Sequence, residues 1–129
     1  MNLVCLEVVL TTVMCLVANR LPKFATTIHC EERFSVIKIF NCLFLNVYLP
    51  LCVVTSNRLQ VCIAVLDELC SYFDNYHECD FVMAGDFNVN LDVSDAVALR
   101  VQRLISEYSL VRCDSLFPAE RKNTCESAP

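Results

Sequence analysis

The chain has 129 residues, is 56% hydrophobic with a mean hydropathy of +0.49, and contains one Gly, four Pro, no Trp and ten Cys. Such a composition excludes a disordered chain, and with a single Gly it also argues against a free-standing, well-punctuated globular domain. A formal net charge of −5 at pH 7 excludes the broad basic surface by which proteins grip nucleic-acid phosphates, so affinity for DNA is expected to be poor.

Residues 2–18 are mostly apolar, but Glu7 interrupts the run and no positive charge precedes it, which disfavours both a secretory signal and a membrane span. Val, Thr and Cys dominate in Val8-Val9-Leu10-Thr11-Thr12-Val13, so one or two buried strands are expected there. Residues 20–32 are more polar and read as a loop or an edge strand, with His29 at the surface. The cysteines, among them Cys5, Cys15, Cys42, Cys52, Cys62 and Cys70, sit inside apolar runs rather than in turn-flanked loops. Most therefore read as buried free thiols in a reducing, intracellular compartment. No Cys-x-x-Cys occurs, and His29 with Cys30 lacks partners at zinc-ligand spacing.

Phe34–Phe40 reads as a strand, with Asn41 as the hairpin turn because Asn tolerates a left-handed backbone where no Gly is available. Cys42–Val47 is a second apolar strand that runs into Tyr48-Leu49-Pro50. From Ser56 to Tyr76 the apolar residues Leu59, Cys62, Leu66, Leu69, Phe73 and Tyr76 recur at helical spacing, leaving Gln60, Asp67, Ser71 and Asn75 toward solvent. Asp80–Ala84 is another buried strand, ending at Gly85, the one Gly of the chain. Strand, helix and strand make a βαβ unit with parallel strands, which places Tyr48, Asp86 and Asn88 at the same edge of the sheet. Ligands of α/β sheets bind outside that carboxyl edge. Further on, Ser94 is placed to cap a second helix with Val97, Val101, Leu104 and Tyr108 on its apolar face. Leu110–Cys113 reads as a last short strand and residues 115–129 as a loose tail.

The paired pieces Asn46-Val47-Tyr48-Leu49-Pro50 and Gly85-Asp86-Phe87-Asn88-Val89, one helix apart, resemble the endonuclease/exonuclease/phosphatase superfamily, above all the endonuclease domain of LINE-type retrotransposons. The resemblance covers about residues 33–114 and implies an α/β architecture of the α+β sandwich kind, a mixed sheet with flanking helices. At 129 residues the chain is expected to be a single incomplete domain of that fold, a truncated central portion. By the same resemblance Tyr48, Asp86 and Asn88 are the catalytic residues. Asp86 would orient or deprotonate the attacking water, Asn88 would donate its amide to a phosphate oxygen, and Tyr48 would offer its hydroxyl. Asn46 would support the strand end. The family uses Mg2+ on DNA, but its early Asn and Glu, which hold the metal, and its C-terminal Asp-His pair have no match here. Leu3-Val4-Cys5-Leu6-Glu7 is faintly similar to the family's metal-binding segment, yet Glu7 lies only forty-one residues before Tyr48 and receives no metal role.

The expectation is therefore a fragment of a metal-dependent phosphodiester hydrolase, inactive alone, with doubtful Mg2+ binding, little DNA binding, no membrane and some self-association through exposed strands. The alternative is a small non-enzymatic, cysteine-rich secreted or interaction protein.

Overall fold

In the computed structural model, which describes residues 3–5, 24–51 and 57–116, β-branched and aromatic runs form strands and the helical stripes form helices in the order read above. β1 (Leu3–Cys5), β2 (Ala25–Cys30), β3 (Phe34–Ile39) and β4 (Cys42–Tyr48) precede helix α1 (Arg58–Asn75). β5 (Asp80–Asp86), α2 (Ala96–Glu107), β6 (Val111–Arg112) and a single turn α3 (Cys113–Leu116) follow. They form one mixed sheet in the order β2-β3-β4-β5-β1-β6, in which β2, β3, β4 and β5 are the long strands. β2–β3 and β3–β4 are antiparallel, while β4–β5, β5–β1 and β1–β6 are parallel. The α/β class is thus correct. Within 2–18, Leu3–Cys5 is a strand, and the Val8–Val13 segment lies outside the described residues, as does the tail from 117.

Strand alternation sends Phe34, Val36, Leu43, Leu45, Val47, Phe81, Met83 and Phe87 into one core with the buried faces of the two helices. From α1 that face is Cys62, Val65, Leu66, Leu69 and Phe73, and from α2 it is Val97, Ala98, Val101 and Leu104. Full burial of a Leu or Phe side chain stabilises by about 1.5–3 kcal/mol, so this layer supplies most of the driving force. Gln60, Asp67, Ser71 and Asn75 face solvent as expected. Leu59 does not join the core: in the first turn of α1 it is 37% exposed, and Val65 takes its share of the interface. The face is wider than one stripe because α1 packs against α2 as well as against the sheet. Between the helices Arg100 pairs with Asp67 at 2.7 Å, Tyr108 stacks on Phe73 with centroids 4.6 Å apart, and the Tyr108 hydroxyl donates to Asp74 at 2.9 Å.

Three local expectations are revised. The β3–β4 turn comprises Phe40 and Asn41, since Ile39 pairs with Cys42, and it is Phe40 that adopts φ +53°. Asn41 is occupied otherwise, its carbonyl accepting from Asp80 N at 2.9 Å and its amide donating to Glu78 O at 3.1 Å, so it anchors the start of β5. Phe40 packs its ring on Phe24, centroids 5.0 Å apart, on the outside of the sheet. The N-cap of α2 is Asp95 rather than Ser94: the Asp95 carboxylate accepts from Ala98 N at 2.8 Å, and its charge also suits the helix N-terminus. Cys62 and Cys79 are buried free thiols, Cys42 and Cys70 half-buried ones and Cys30 an exposed one, and Cys113 is half-buried, so burial is less general than their apolar context implied. Among the described residues no helix is long and apolar enough to cross a membrane.

Candidate functional site at the carboxyl edge of the sheet

The parallel pairing of β4 with β5 sets Tyr48 directly opposite Asp86, although thirty-eight positions separate them in sequence. One pair earlier, Val47 lies opposite Gly85. Gly85 has φ +144°, and a Cβ built on it would lie 1.9 Å from the Val47 carbonyl oxygen. No side chain fits there. The glycine therefore lets the two backbones approach immediately before the two functional side chains, and it does so inside β5 rather than in the loop after it. Val47 and Phe87 turn into the core beneath the helices, so alternation turns Tyr48 and Asp86 to the opposite face together. Tyr48 is 41% exposed and Asp86 is half-buried.

Asn88 closes the site in a way that the motif did not reveal. Leu49 N donates to Asp86 O at 2.9 Å, and in a regular parallel ladder the next bond would run from Asn88 N to Leu49 O. Asn88 instead adopts φ +47°, which turns its backbone N–H onto the Asp86 carboxylate at 3.2 Å. Its side-chain amide then takes over the missing ladder bond, donating to Leu49 O at 2.8 Å. This is an Asx-type turn joined to a ladder substitute. The Asn88 amide thus places one of its two N–H donors within the fold, and the phosphate-donor role expected of it would fall to the other. Asn46 is 2% exposed and belongs to the interior of β4.

Two arginines that the motif did not single out complete the edge. Arg58, the first residue of α1, donates from Nε to Pro50 O at 3.0 Å and from Nη2 to Asn88 O at 2.7 Å, tying the loop after β4 to the loop after β5. Arg33, just before β3, places its guanidinium 5.7 Å from the centroid of the Tyr48 ring, while its carbonyl accepts from Tyr48 N at 2.7 Å. Both charges act on one buried neighbour: burial pushes the Cys62 thiol up, the Arg58 and Arg33 charges pull it down, and Asp95 pushes it up again. A locality with two guanidinium groups beside one carboxylate, a phenol and a strand-end loop suits an anion. The signal for Arg58 was available in the sequence, because a cation at the first turn of a helix opposes the helix dipole and so calls for a separate reason.

For Mg2+ the donor set is short. Such ions take one or two carboxylates together with substrate phosphates and water. Of the three expected residues Asp86 alone offers a carboxylate, Asn88 offers at most a neutral amide oxygen, and two guanidinium charges oppose a cation. β1 runs parallel to β5, and Glu7, two positions beyond its end, lies outside the described residues. Compared with known proteins, the chain matches no family model, no curated protein and no solved structure.

Proposed function

We propose that this chain is a portion of a phosphodiester-hydrolase domain of the endonuclease/exonuclease/phosphatase type, which retains an anion-binding edge but has little catalysis of its own. The observation that carries the reading is the opposition of Tyr48 and Asp86 across the β4–β5 ladder, with the two exit loops tied together by Arg58. The free thiols of Cys30, Cys42, Cys62, Cys70 and Cys79 support this reading over a disulfide-paired secreted module.

Hydrolysis of a phosphodiester needs an oriented water, a group to take its proton, and positive charge or donors around the pentacoordinate phosphorus. Asp86 is the one candidate for the first two tasks among Tyr48, Asp86 and Asn88. Tyr48 can donate its hydroxyl to a phosphate oxygen. Arg33 and Arg58 supply charge, and a guanidinium has five N–H donors, so Arg58 keeps some after its two backbone bonds. Asn88 is a positioning residue that holds the Asp86 loop. A bound Mg2+ would polarise the phosphate, a contribution of several kcal/mol in metal-assisted hydrolysis. Without a second carboxylate, turnover should be close to nil.

The reading is tested by titrating a short dinucleotide phosphodiester into labelled protein and by assaying nicking of supercoiled DNA at millimolar Mg2+. Weak binding should move the signals of Tyr48, Asp86 and Asn88 and should vanish in Arg33→Ala. Nicking should not exceed that of an Asp86→Ala control. Shifts confined to another surface would overturn the anion site, and metal-dependent nicking lost in Asp86→Ala would overturn the claim of inactivity.

A further inference from the structure

His29, expected at the surface, is half-buried. Its side chain is 19% exposed, its ring stacks on Phe34 with centroids 4.4 Å apart and an interplanar angle of 13°, and it meets Tyr72 of α1 at 5.8 Å. A register shift between Thr27 and His29 in the β2–β3 ladder brings His29 opposite Val36, on the face that packs under the helices. There its Nε2 is buried and forms no hydrogen bond. A buried polar nitrogen without a partner costs about 1–3 kcal/mol, so the position calls for a reason.

The atoms nearest to that nitrogen supply one. Glu31 Oε1 lies 3.4 Å from His29 Nε2 without hydrogen-bond geometry, and one ring nitrogen of His29 and one carboxylate oxygen each of Glu31 and of Glu68 on α1 lie within 4.8 Å of one another. Bonds of roughly 2.0–2.1 Å from Zn2+ to nitrogen and oxygen imply a tetrahedral edge of about 3.3–3.4 Å. The His29–Glu31 separation already matches that edge. Glu68 is exposed, and its long side chain can close the remaining distance without moving the helix. Among the described residues neither glutamate forms an ion pair with Lys or Arg.

We propose that His29, Glu31 and Glu68 form a three-ligand site for a first-row divalent metal of the Zn2+ kind, separate from the Tyr48–Asp86 edge. Nε2 supplies the borderline-soft donor that distinguishes such ions from Mg2+, and the two carboxylates neutralise the charge. A fourth position remains for water. Phe34 and Tyr72 hold the imidazole in orientation. The bound ion would fasten the β2 end of the sheet to α1, two elements joined there by ring contacts. Sequence spacing could not show this site, because Glu68 lies thirty-seven positions beyond Glu31 and reaches it only through the packing of α1.

The chain contains two histidines, His29 and His77, and His77 is exposed, so imidazole nitrogen spectra offer a built-in control. The thiols are competing ligands, and the readout must therefore be the histidine itself. One equivalent of Zn2+ added to metal-free protein should move the His29 Nε2 signal and leave His77 in place, and equimolar Mg2+ should move neither. Glu68→Gln, an exposed change that preserves the fold by circular dichroism, should weaken this response roughly 100-fold, the upper end of what losing even an outer-shell partner costs. Zn2+ uptake that leaves His29 unmoved would overturn the proposal by assigning the ion to thiolates. So would a His29 response unchanged in Glu68→Gln.

Discussion

Replacing Gly85 with Ala probes the contact that brings the two halves of the candidate site together. The added methyl would stand 1.9 Å from Val47 O, 2.7 Å from Val47 N and 2.8 Å from Val47 C, all backbone atoms that cannot rotate away. Ordinary contact requires about 3.5 Å, so β5 would have to withdraw from β4 by more than about 1 Å at that point. Ladder bonds nearby, such as Leu49 N to Asp86 O at 2.9 Å, would leave hydrogen-bonding range. Two such bonds at about 1 kcal/mol each, with roughly 1–3 kcal/mol for a non-glycine residue at φ +144°, place the loss at about 3–5 kcal/mol. That is a large share of the 5–15 kcal/mol typical of a domain. Urea unfolding followed by far-ultraviolet circular dichroism measures it, with Ala84→Gly as the neighbouring control, expected to cost about 1 kcal/mol. If Gly85→Ala were no less stable than Ala84→Gly, the close approach of β4 and β5 would be wrong, and with it the opposition of Tyr48 and Asp86.

Leu66 is fully buried, so Leu66→Ala should cost about 2–5 kcal/mol by urea unfolding, whereas Leu59→Ala at the 37% exposed position should stay within about 0.5 kcal/mol. Equal costs would restore Leu59 to the core. The Tyr108 phenol is raised well above its ordinary value of 10.0, by burial first and then by its bonds to Cys70 and Asp74. A raised folded-state value gives stability that is complete below the unfolded value and is lost as pH climbs above about 10. Tyr108→Phe should therefore show a shallower loss of stability in that alkaline window, and an identical slope in both proteins would exclude Tyr108 as its source.

Much of the architecture was legible because it rests on local patterns that have one good packing solution. The run Cys42–Val47, the α1 stripe and the run Asp80–Ala84 specify a strand–helix–strand unit, and a parallel pairing then follows from the length of the connection. The same logic places Tyr48 and Asp86 at one edge, where the β4–β5 ladder pairs them. Local patterns failed where a residue had two competing uses. Asn41 is one of the two turn residues, but its carbonyl and amide both bind at the approach to β5, and the positive φ falls on Phe40. Ser94 and Asp95 are both good caps, and the charged one won. Leu59 fits the stripe by spacing, yet spacing cannot report that a second helix has shifted the buried face toward Val65.

The site itself was half legible, and the division follows from what a motif encodes. A motif records side chains near one another in sequence, which sufficed for Asp86 and Asn88 on one loop. It carries nothing about Arg58, whose two bonds reach backbone oxygens of residues 50 and 88, nor about Arg33, which meets Tyr48 only because β3 lies beside β4. Nor could it show that the Asn88 amide donates to Leu49 O, because that bond depends on whether the backbone continues the ladder, and the positive φ at Asn88 is what ends it. The consequence is mechanistic. An asparagine that repairs the ladder holds Asp86 in place whether or not a substrate is bound, so on the function proposed the edge would be preorganised for an anion by its fold rather than assembled around one. On the function proposed, catalysis would depend on a second carboxylate being brought to Asp86, and it is that requirement, rather than the geometry of Tyr48, Asp86 and Asn88, which would limit the chain.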